Sequence, residues 1–118
     1  MVQIEQIAEA ILNGESLVAR ALAQKFLRST PRLANIKAPA AADPSVLAMS
    51  AALLELFALR THQEAPVWTR DIGAVNEPIF LLQSARTMKY LRELCKAQSP
   101  EPLRKRGFYA PPNYLEFA

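Results

Sequence analysis

The stretch DPSVLAMSAALLELFALRT, residues 43–61, decides the fold. Asp43 and Pro44 predict a helix start, because an aspartate side chain caps free amides and proline fits the first helical turn. From Pro44 to about Thr61 nearly every position is apolar, so the predicted helix has no single polar face. We expect it to lie at the centre of the fold, buried on most sides. The alternative is a half-buried helix whose remaining face is covered by a second subunit.

Two predicted helices precede this segment. In the first, about residues 4–12, apolar residues recur at i, i+3, i+4, i+7 and i+8, and Gly14 follows as a C-terminal cap. The second runs to Arg28 and is stopped by Pro31, since the residue before a proline is disfavoured in a helix. Its predicted inner stripe consists of Val18, Ala21, Leu22 and Phe26. The linker that follows, residues 31–42, is expected to tuck Leu33 and Ile36 onto the core.

The second half of the chain predicts a loop, a long helix and a short one. The loop, about residues 61–76, holds the only tryptophan and the only histidine. A long helix is predicted over residues 78–97, with Ala85 among its inner residues. A short helix capped by Ser99 extends to about Lys105 and ends at Gly107. No stretch shows the strict alternation that is typical of strands.

The predicted fold class is therefore all-α, a compact bundle of four main helices with a short fifth helix and an extended aromatic C-terminal tail. We expect one helical domain over residues 1–118, in which residues 99–118 dock as the final helix and tail. A hydrophobic fraction of 51% with 21% charged residues is typical of a globular chain.

Composition excludes several functional classes. Cys95 is the only cysteine, so no intramolecular disulfide can form. The first residues lack the basic flank and apolar core of a signal peptide, and the apolar run at residues 46–59 is shorter than the roughly 20 residues of a membrane span. Three widely spaced glycines exclude a P-loop and a dinucleotide fingerprint. We expect a cytoplasmic protein without a membrane partner and without cofactors.

No catalytic constellation stands out in the sequence. His62 has no metal-ligand partner at helical spacing, and Cys95 falls on the predicted inner face of the last long helix, where a thiol packs as a small apolar group. We expect neither catalytic nor metal-binding residues, and hence no enzyme. Glu55 interrupts the apolar helix: it either forms a charge pair or partner contact, or faces water through a gap, and the second interpretation is favoured.

The last twenty residues combine basic, aromatic and proline residues. Such aromatic surface is expected to dock, either as an intramolecular seal on the bundle, which is slightly favoured, or on a partner. Trp68 carries the same alternatives, with a plug at one end of the bundle favoured over an exposed anchor. The predicted partner-binding residues are Trp68, Arg104, Arg106, Phe108, Tyr109 and Tyr114.

A basic stretch is the other candidate surface. Residues 86–106 contain seven basic side chains against two acidic ones, a balance of +5 in a chain whose net charge is +3. A solvated surface, or pairing with acidic residues of the same chain, is favoured over nucleic-acid binding. The candidate nucleic-acid-binding residues are Arg86, Lys89, Arg92, Lys96 and Lys105.

Three segments resemble a group of small, uncharacterised all-helical bacterial proteins with no assigned activity: LVARAL at residues 17–22, APVWT at 65–69, and SPEPLR at 99–104 with APPN at 110–113. The resemblance implies that the tryptophan loop and the tail belong to one domain, and it implies no reaction, ligand or partner. We therefore predict a non-enzymatic helical interaction or regulatory module that self-associates as a homodimer or binds another protein. Nucleic-acid binding through residues 86–106 is the alternative.

Overall fold

The computed structural model describes residues 3–29, 32–39, 43–75, 79–81, 88–111 and 114–115. In chain order the elements are α1 (Ile4–Leu12), α2 (Ser16–Ser29), a first 3-10 turn (Leu33–Asn35), α3 (Pro44–Thr61), a second 3-10 turn (Val67–Asp71), β1 (Ile79–Phe80), α4 (Lys89–Gln98), α5 (Glu101–Arg104) and β2 (Phe108–Tyr109). The chain is compact and mostly helical, as the sequence predicts, with a small two-stranded sheet in addition. Its radius of gyration is 13.3 Å.

Helix α3 is the centre of the fold. It begins at Pro44 with the predicted cap, in which Asp43 Oδ1 accepts a hydrogen bond of 2.8 Å from the Ser45 amide. It ends at Thr61, and His62 follows in the left-handed region with φ 57°. Helix α1 packs against α3, and so do α5 and the two 3-10 turns. Ten of its 18 residues are buried within one chain, so the apolar sequence of α3 does not require a second subunit to cover it.

By length and composition alone, α3 qualifies as a membrane span, contrary to the estimate from the shorter run 46–59. Most of its surface is nevertheless covered by the rest of the chain, as in the core helix of a soluble protein. The apolar sequence of α3 is therefore explained by its central position.

Helices α1 and α2 form a hairpin around Gly14, which adopts φ 78°. The buried stripe of α2 consists of Ala19, Ala23 and Phe26, and the Phe26 ring lies 6.3 Å from the ring of Phe57. The predicted stripe is wrong in two positions, because Val18 is 47% exposed and Ala21 is also exposed. Alanines one helical turn apart allow a close approach to α1, and this rotates the larger residues outward.

The two strands correct the prediction of a helix over residues 78–97. β1 and β2 pair in parallel, with Ile79 opposite Phe108. The Ile79 amide donates to the Gly107 carbonyl at 2.8 Å, and the Leu81 amide donates to the Tyr109 carbonyl at 2.9 Å. Backbone bonds to the tail thus override the helical spacing of apolar residues here. Helix α4 begins only at Lys89, and the predicted inner residue Ala85 lies outside the described residues.

Candidate interaction surfaces

Arg106 is the most buried charged residue described, with 2% of its surface exposed. Its Nη1 donates to Glu55 Oε1 at 2.7 Å and to the Pro102 carbonyl at 3.2 Å. Its Nη2 donates to the Thr69 carbonyl at 2.8 Å, and its Nε donates to the Ile72 carbonyl at 3.3 Å. One guanidinium therefore joins α3, α5 and the second 3-10 turn. We call this set of contacts, the Glu55–Arg106 pair with the Pro102, Thr69 and Ile72 carbonyls, the Arg106 clasp.

Glu55 receives a second cation at the same oxygen. Lys105 Nζ lies 2.8 Å from Glu55 Oε1, with its own side chain half exposed. Burial alone would raise the pKa of Glu55, but hydrogen bonds from Arg106 and Lys105 and the Arg106 charge outweigh it and lower the pKa from 4.5 to about 2. Of the two interpretations of Glu55, the charge pair is confirmed and the water-facing carboxylate is wrong.

These contacts remove two residues from the predicted partner surface. Arg106 donates its hydrogen bonds inside the chain, and Phe108 is fully buried in the core. Neither side chain reaches a surface where a partner could contact it. We therefore correct the assignment of Arg106 and Phe108: they hold the domain together.

The tail is fastened in the same chain through Ser99. The Ser99 hydroxyl accepts a hydrogen bond of 2.8 Å from the Ala110 amide and lies 2.9 Å from the Ala110 carbonyl. Ser99 makes no capping bond to α5, so its predicted role as a helix cap is wrong. Tyr114 packs against the core, and its burial raises its pKa to about 12. For the described part of the tail the intramolecular seal is confirmed, and Phe117 lies outside the described residues.

Trp68 acts as the predicted plug. The residue is half-buried against the core, and its Nε1 donates to the Ile36 carbonyl at 2.9 Å. This bond ties the second 3-10 turn to the linker, where Leu33 is buried and Ile36 is half-buried as predicted. Trp68 is thus held by its own chain on both its apolar and its polar side.

Tyr109 packs on a second aromatic ring at the surface. Its ring lies 5.4 Å from the ring of Phe80, and the guanidinium of Arg92 lies 5.4 Å from the same Phe80 ring. The cation therefore interacts with the negative face of the ring and links α4 to β1. Tyr109 and Arg92 are both half-buried in this contact.

The basic candidates have different environments. Lys89 and Lys96 are exposed on α4, and Arg104 is exposed with its Nη1 3.3 Å from the Ala97 carbonyl. Lys105 pairs with Glu55, and Arg92 lies over Phe80. The fifth candidate, Arg86, lies outside the described residues. The structure therefore brings Lys96 and Arg104 to the same end of α4 and places Arg92 and Lys105 in contacts of their own.

The surroundings of Cys95 and His62 favour neither a nucleophile nor a metal ligand. Cys95 is buried, and burial raises the pKa of its thiol, which disfavours the reactive thiolate. His62 is exposed at the end of α3. Within the described ranges, no three His, Cys, Asp or Glu side chains come together as metal ligands would.

A surface that the sequence interpretation missed lies on α2. Leu17 is 84% exposed, Val18 is 47% exposed, and Ala21 one turn later is exposed as well. We call these three residues the α2 outer patch. The signal that identifies it is the longer apolar stripe of the same helix, Ala19, Leu22, Ala23, Phe26 and Leu27, which fits i, i+3, i+4, i+7 and i+8 and leaves the patch on the opposite side.

Among the described residues, the other large apolar side chains that are exposed lie away from α2. They are Leu59 on α3, Val67 on the second 3-10 turn, Met88 before α4 and Tyr90 in its first turn. Scattered apolar residues are normal on a protein surface, whereas three neighbours on one rigid helix form a surface that a partner can cover. No protein-family model, curated protein or solved structure matches this chain.

Proposed function

We propose that this chain is a non-enzymatic protein–protein interaction or regulatory module that binds through the α2 outer patch. The observation that carries the proposal is the exposure of Leu17 and Val18 side by side on a regular helix, opposite its buried stripe. A fixed helix presents this surface with little ordering cost on binding, which favours use as a docking face. The described part of the tail, in contrast, already has its aromatic residues packed in the same chain.

The cellular setting belongs to the same proposal. We infer a cytoplasmic protein of the small bacterial group that the sequence resembles, acting without a cofactor. A single buried cysteine and an apolar helix covered by its own chain support that setting. The partner is another protein or a second copy of the chain.

Affinity capture tests the proposed function. The wild-type chain, Leu17→Glu and Leu59→Glu are used as baits in a cell lysate to which tagged wild-type chain is added, so that self-association is also recovered. Leu59 is the matched control, since it is an exposed leucine on a different helix. We expect a partner to be recovered by wild type and Leu59→Glu and lost with Leu17→Glu. Equal recovery by all three baits, or recovery of nothing, contradicts the proposal.

Nucleic-acid binding is the second candidate function. The observation in its favour is that Lys89, Lys96 and Arg104 are exposed, with Arg104 reaching the last turn of α4. A surface of this kind binds phosphates with a strong dependence on salt. Titration of duplex DNA at several salt concentrations decides it: binding that weakens with salt and with Lys96→Ala supports it, and absence of binding at low salt removes it.

A further inference from the structure

We propose that α2 binds an acidic segment of another protein, which places an apolar side chain on the α2 outer patch and carboxylates on Lys25 and Arg28. The inference rests on the proposed function, because it takes the α2 outer patch to be part of the binding surface. It goes further in naming the chemistry of the partner and the two side chains that select it.

Lys25 and Arg28 continue the α2 outer patch towards the end of the helix, and we call them the α2 basic pair. Lys25 follows Val18 by seven residues and Ala21 by four, and Arg28 follows Ala21 by seven. Positions four and seven apart lie on the same side of a helix. Both basic side chains are exposed, and α2 continues to Ser29, whose hydroxyl donates to the Lys25 carbonyl at 2.9 Å. The outer side of α2 is therefore apolar in its first half and basic in its second half.

The α2 basic pair makes no ion pair within the part of the chain that the structure describes. The sequence explains why, since residues 16–42 contain no acidic residue. The basic residues of this stretch are Arg20, Lys25, Arg28, Arg32 and Lys37. In residues 86–106, by contrast, Glu93 and Glu101 offset part of the positive charge. A partner that covers the outer side of α2 must therefore bring the negative charge itself.

A second copy of α2 does not bring that charge. Its outer side presents the same apolar and basic side chains, so pairing the two outer sides leaves every cation without a carboxylate. Glu15 does not change this, because it precedes Ala19 by four residues and Leu22 by seven and so lies on the side of the buried stripe. The face therefore favours a partner of opposite charge over self-association.

An acidic protein segment matches both halves of the face. A nucleic-acid backbone would satisfy the cations but would set charged phosphates beside Leu17, which is 84% exposed. An anionic bilayer would accept both halves, but the three apolar side chains of the α2 outer patch hold fewer carbon atoms than one myristoyl chain, which itself binds membranes only marginally. A protein segment can cover the leucine with an apolar side chain and pair the cations with carboxylates.

The spacing of the two halves defines the segment. The midpoint of Leu17 and Val18 and the midpoint of the α2 basic pair are about 14 Å apart along the helix axis, at 1.5 Å per residue. An extended chain covers this distance in about four residues. The expected partner segment therefore carries an apolar residue and, about four residues away, one or two Asp or Glu residues.

Selection from a random library of displayed peptides, about 12 residues long, on the purified full chain tests the chemistry of the partner. We expect the enriched peptides to combine an apolar residue with Asp or Glu at about the spacing above. Enrichment of apolar peptides without acidic residues, or of no peptide at all, overturns the inference.

The role of the α2 basic pair is tested with an enriched peptide by fluorescence anisotropy. Lys25→Glu and Arg28→Glu should each raise the Kd by roughly tenfold or more, and added salt should weaken wild-type binding. Lys96→Glu is the matched control, since Lys96 is an exposed lysine on α4, and it should leave the Kd unchanged. Circular dichroism checks that each variant keeps the wild-type helix content.

A charge swap tests whether the contact is direct. The same peptide with its acidic residues replaced by lysine should bind the double variant Lys25→Glu/Arg28→Glu more tightly than it binds wild type. A swapped peptide that binds neither protein overturns the direct pairing of carboxylates with the α2 basic pair.

The remaining outcomes separate this inference from the proposed function. If Leu17→Glu abolishes peptide binding while Lys25→Glu and Arg28→Glu leave it unchanged, the inference fails and the proposed function stands. If all three variants bind like wild type, the peptides bind elsewhere and both proposals fail. Phosphatidylserine vesicles and duplex DNA are the competing probes: tighter binding to either one than to the peptide, lost with Lys25→Glu, overturns the acidic protein partner.

Discussion

The two flanks of α3 are held by different forces. On one flank, α1 and α2 contribute apolar side chains, among them Phe26, whose ring packs near Phe57. On the other flank, α5 and the second 3-10 turn are joined to α3 by the Arg106 clasp, and the strand pair lies next to it in the chain. The apolar flank depends on burial and shape, which are insensitive to pH. The clasp depends on one ionised pair and its backbone partners.

The difference shows what each flank can tolerate. An apolar contact loses stability in proportion to the surface and volume removed, and neighbouring side chains relax into part of the space. A buried ion pair loses more when one partner is removed than when both are, because the remaining charge is left without compensation. The two flanks should therefore respond differently to paired substitutions, and only the clasp should respond to acid.

Truncation of the apolar flank should have the largest effect. Phe57→Ala removes a ring that is 1% exposed, so we expect the free energy of unfolding to fall by about 3–5 kcal/mol. Urea denaturation at neutral pH measures it. The control Leu59→Ala, on the same helix but 64% exposed, should stay within about 0.5 kcal/mol of wild type. Equal losses for the two variants would show that α3 is not buried on the side of Phe57.

Removal of the Arg106 guanidinium should cause the second-largest loss of stability. Arg106→Met leaves the Thr69 and Ile72 carbonyls without their donor and Glu55 with Lys105 as its one remaining cation, so we expect a loss of about 3 kcal/mol. The exposed neighbour Arg104→Met is the control and should be close to neutral.

The paired substitution sharpens the comparison of the two flanks. Adding Glu55→Leu to Arg106→Met removes the carboxylate that has lost its buried partner and keeps only the half-exposed Lys105, so it should recover part of the lost stability. The same kind of pairing on the apolar flank, Phe26→Ala with Phe57→Ala, should recover nothing. If the double variant Arg106→Met/Glu55→Leu is less stable than Arg106→Met alone, the charge of Glu55 does not contribute to stability in the proposed way.

Acid should weaken the clasp alone. The pKa of Glu55 is about 2 in the folded chain and 4.5 as its ordinary value, so the unfolded chain takes up the proton first as the pH falls. The contribution of Glu55 is complete above pH 4.5 and disappears between 4.5 and about 2, with a slope of at most about 1.4 kcal/mol per pH unit. Denaturation of wild type and Glu55→Gln across this window measures it. Phe57→Ala should keep the wild-type pH dependence, and a Glu55→Gln curve parallel to wild type would contradict the assignment.

The contrast between the apolar flank and the clasp also explains which parts of the structure can be predicted from the sequence. The ends of α3 and its Asp43 cap follow from local residue preferences, so the prediction and the structure agree. That α1 and α2 are amphipathic helices is predictable from their sequences. The buried stripe of α2 is not, because two overlapping sets of apolar residues both fit helical spacing. Which set is buried depends on how closely the alanines pack against neighbouring elements. The α2 outer patch was missed for the same reason.

The clasp follows from no local pattern. Glu55 and Arg106 are 51 residues apart, and the sequence indicated only that Glu55 is unusual. The strands are two residues long, too short for an alternation to be recognised, and they form because Ile79 finds a backbone partner after Arg106. Polar pairing between residues far apart in the sequence therefore explains why the predicted partner-binding role of Arg106 and Phe108 was wrong.

The turn between the clasp and β2 should give the smallest effect. Gly107 adopts φ 87°, and a Cβ there would lie 3.0 Å from Val75 Cγ2. We expect Gly107→Ala to cost about 1–2 kcal/mol, because an L side chain is disfavoured in this conformation. Gly73→Ala is the matched control: a Cβ there meets nothing within 4 Å, so the change should be neutral or slightly stabilising through the unfolded chain. Hydrogen exchange adds a local measurement, since the Ile79 amide donates to the Gly107 carbonyl and should exchange faster in Gly107→Ala. Equal stability of the two glycine variants, with unchanged exchange at Ile79, would show that the clasp positions β2 without help from the turn.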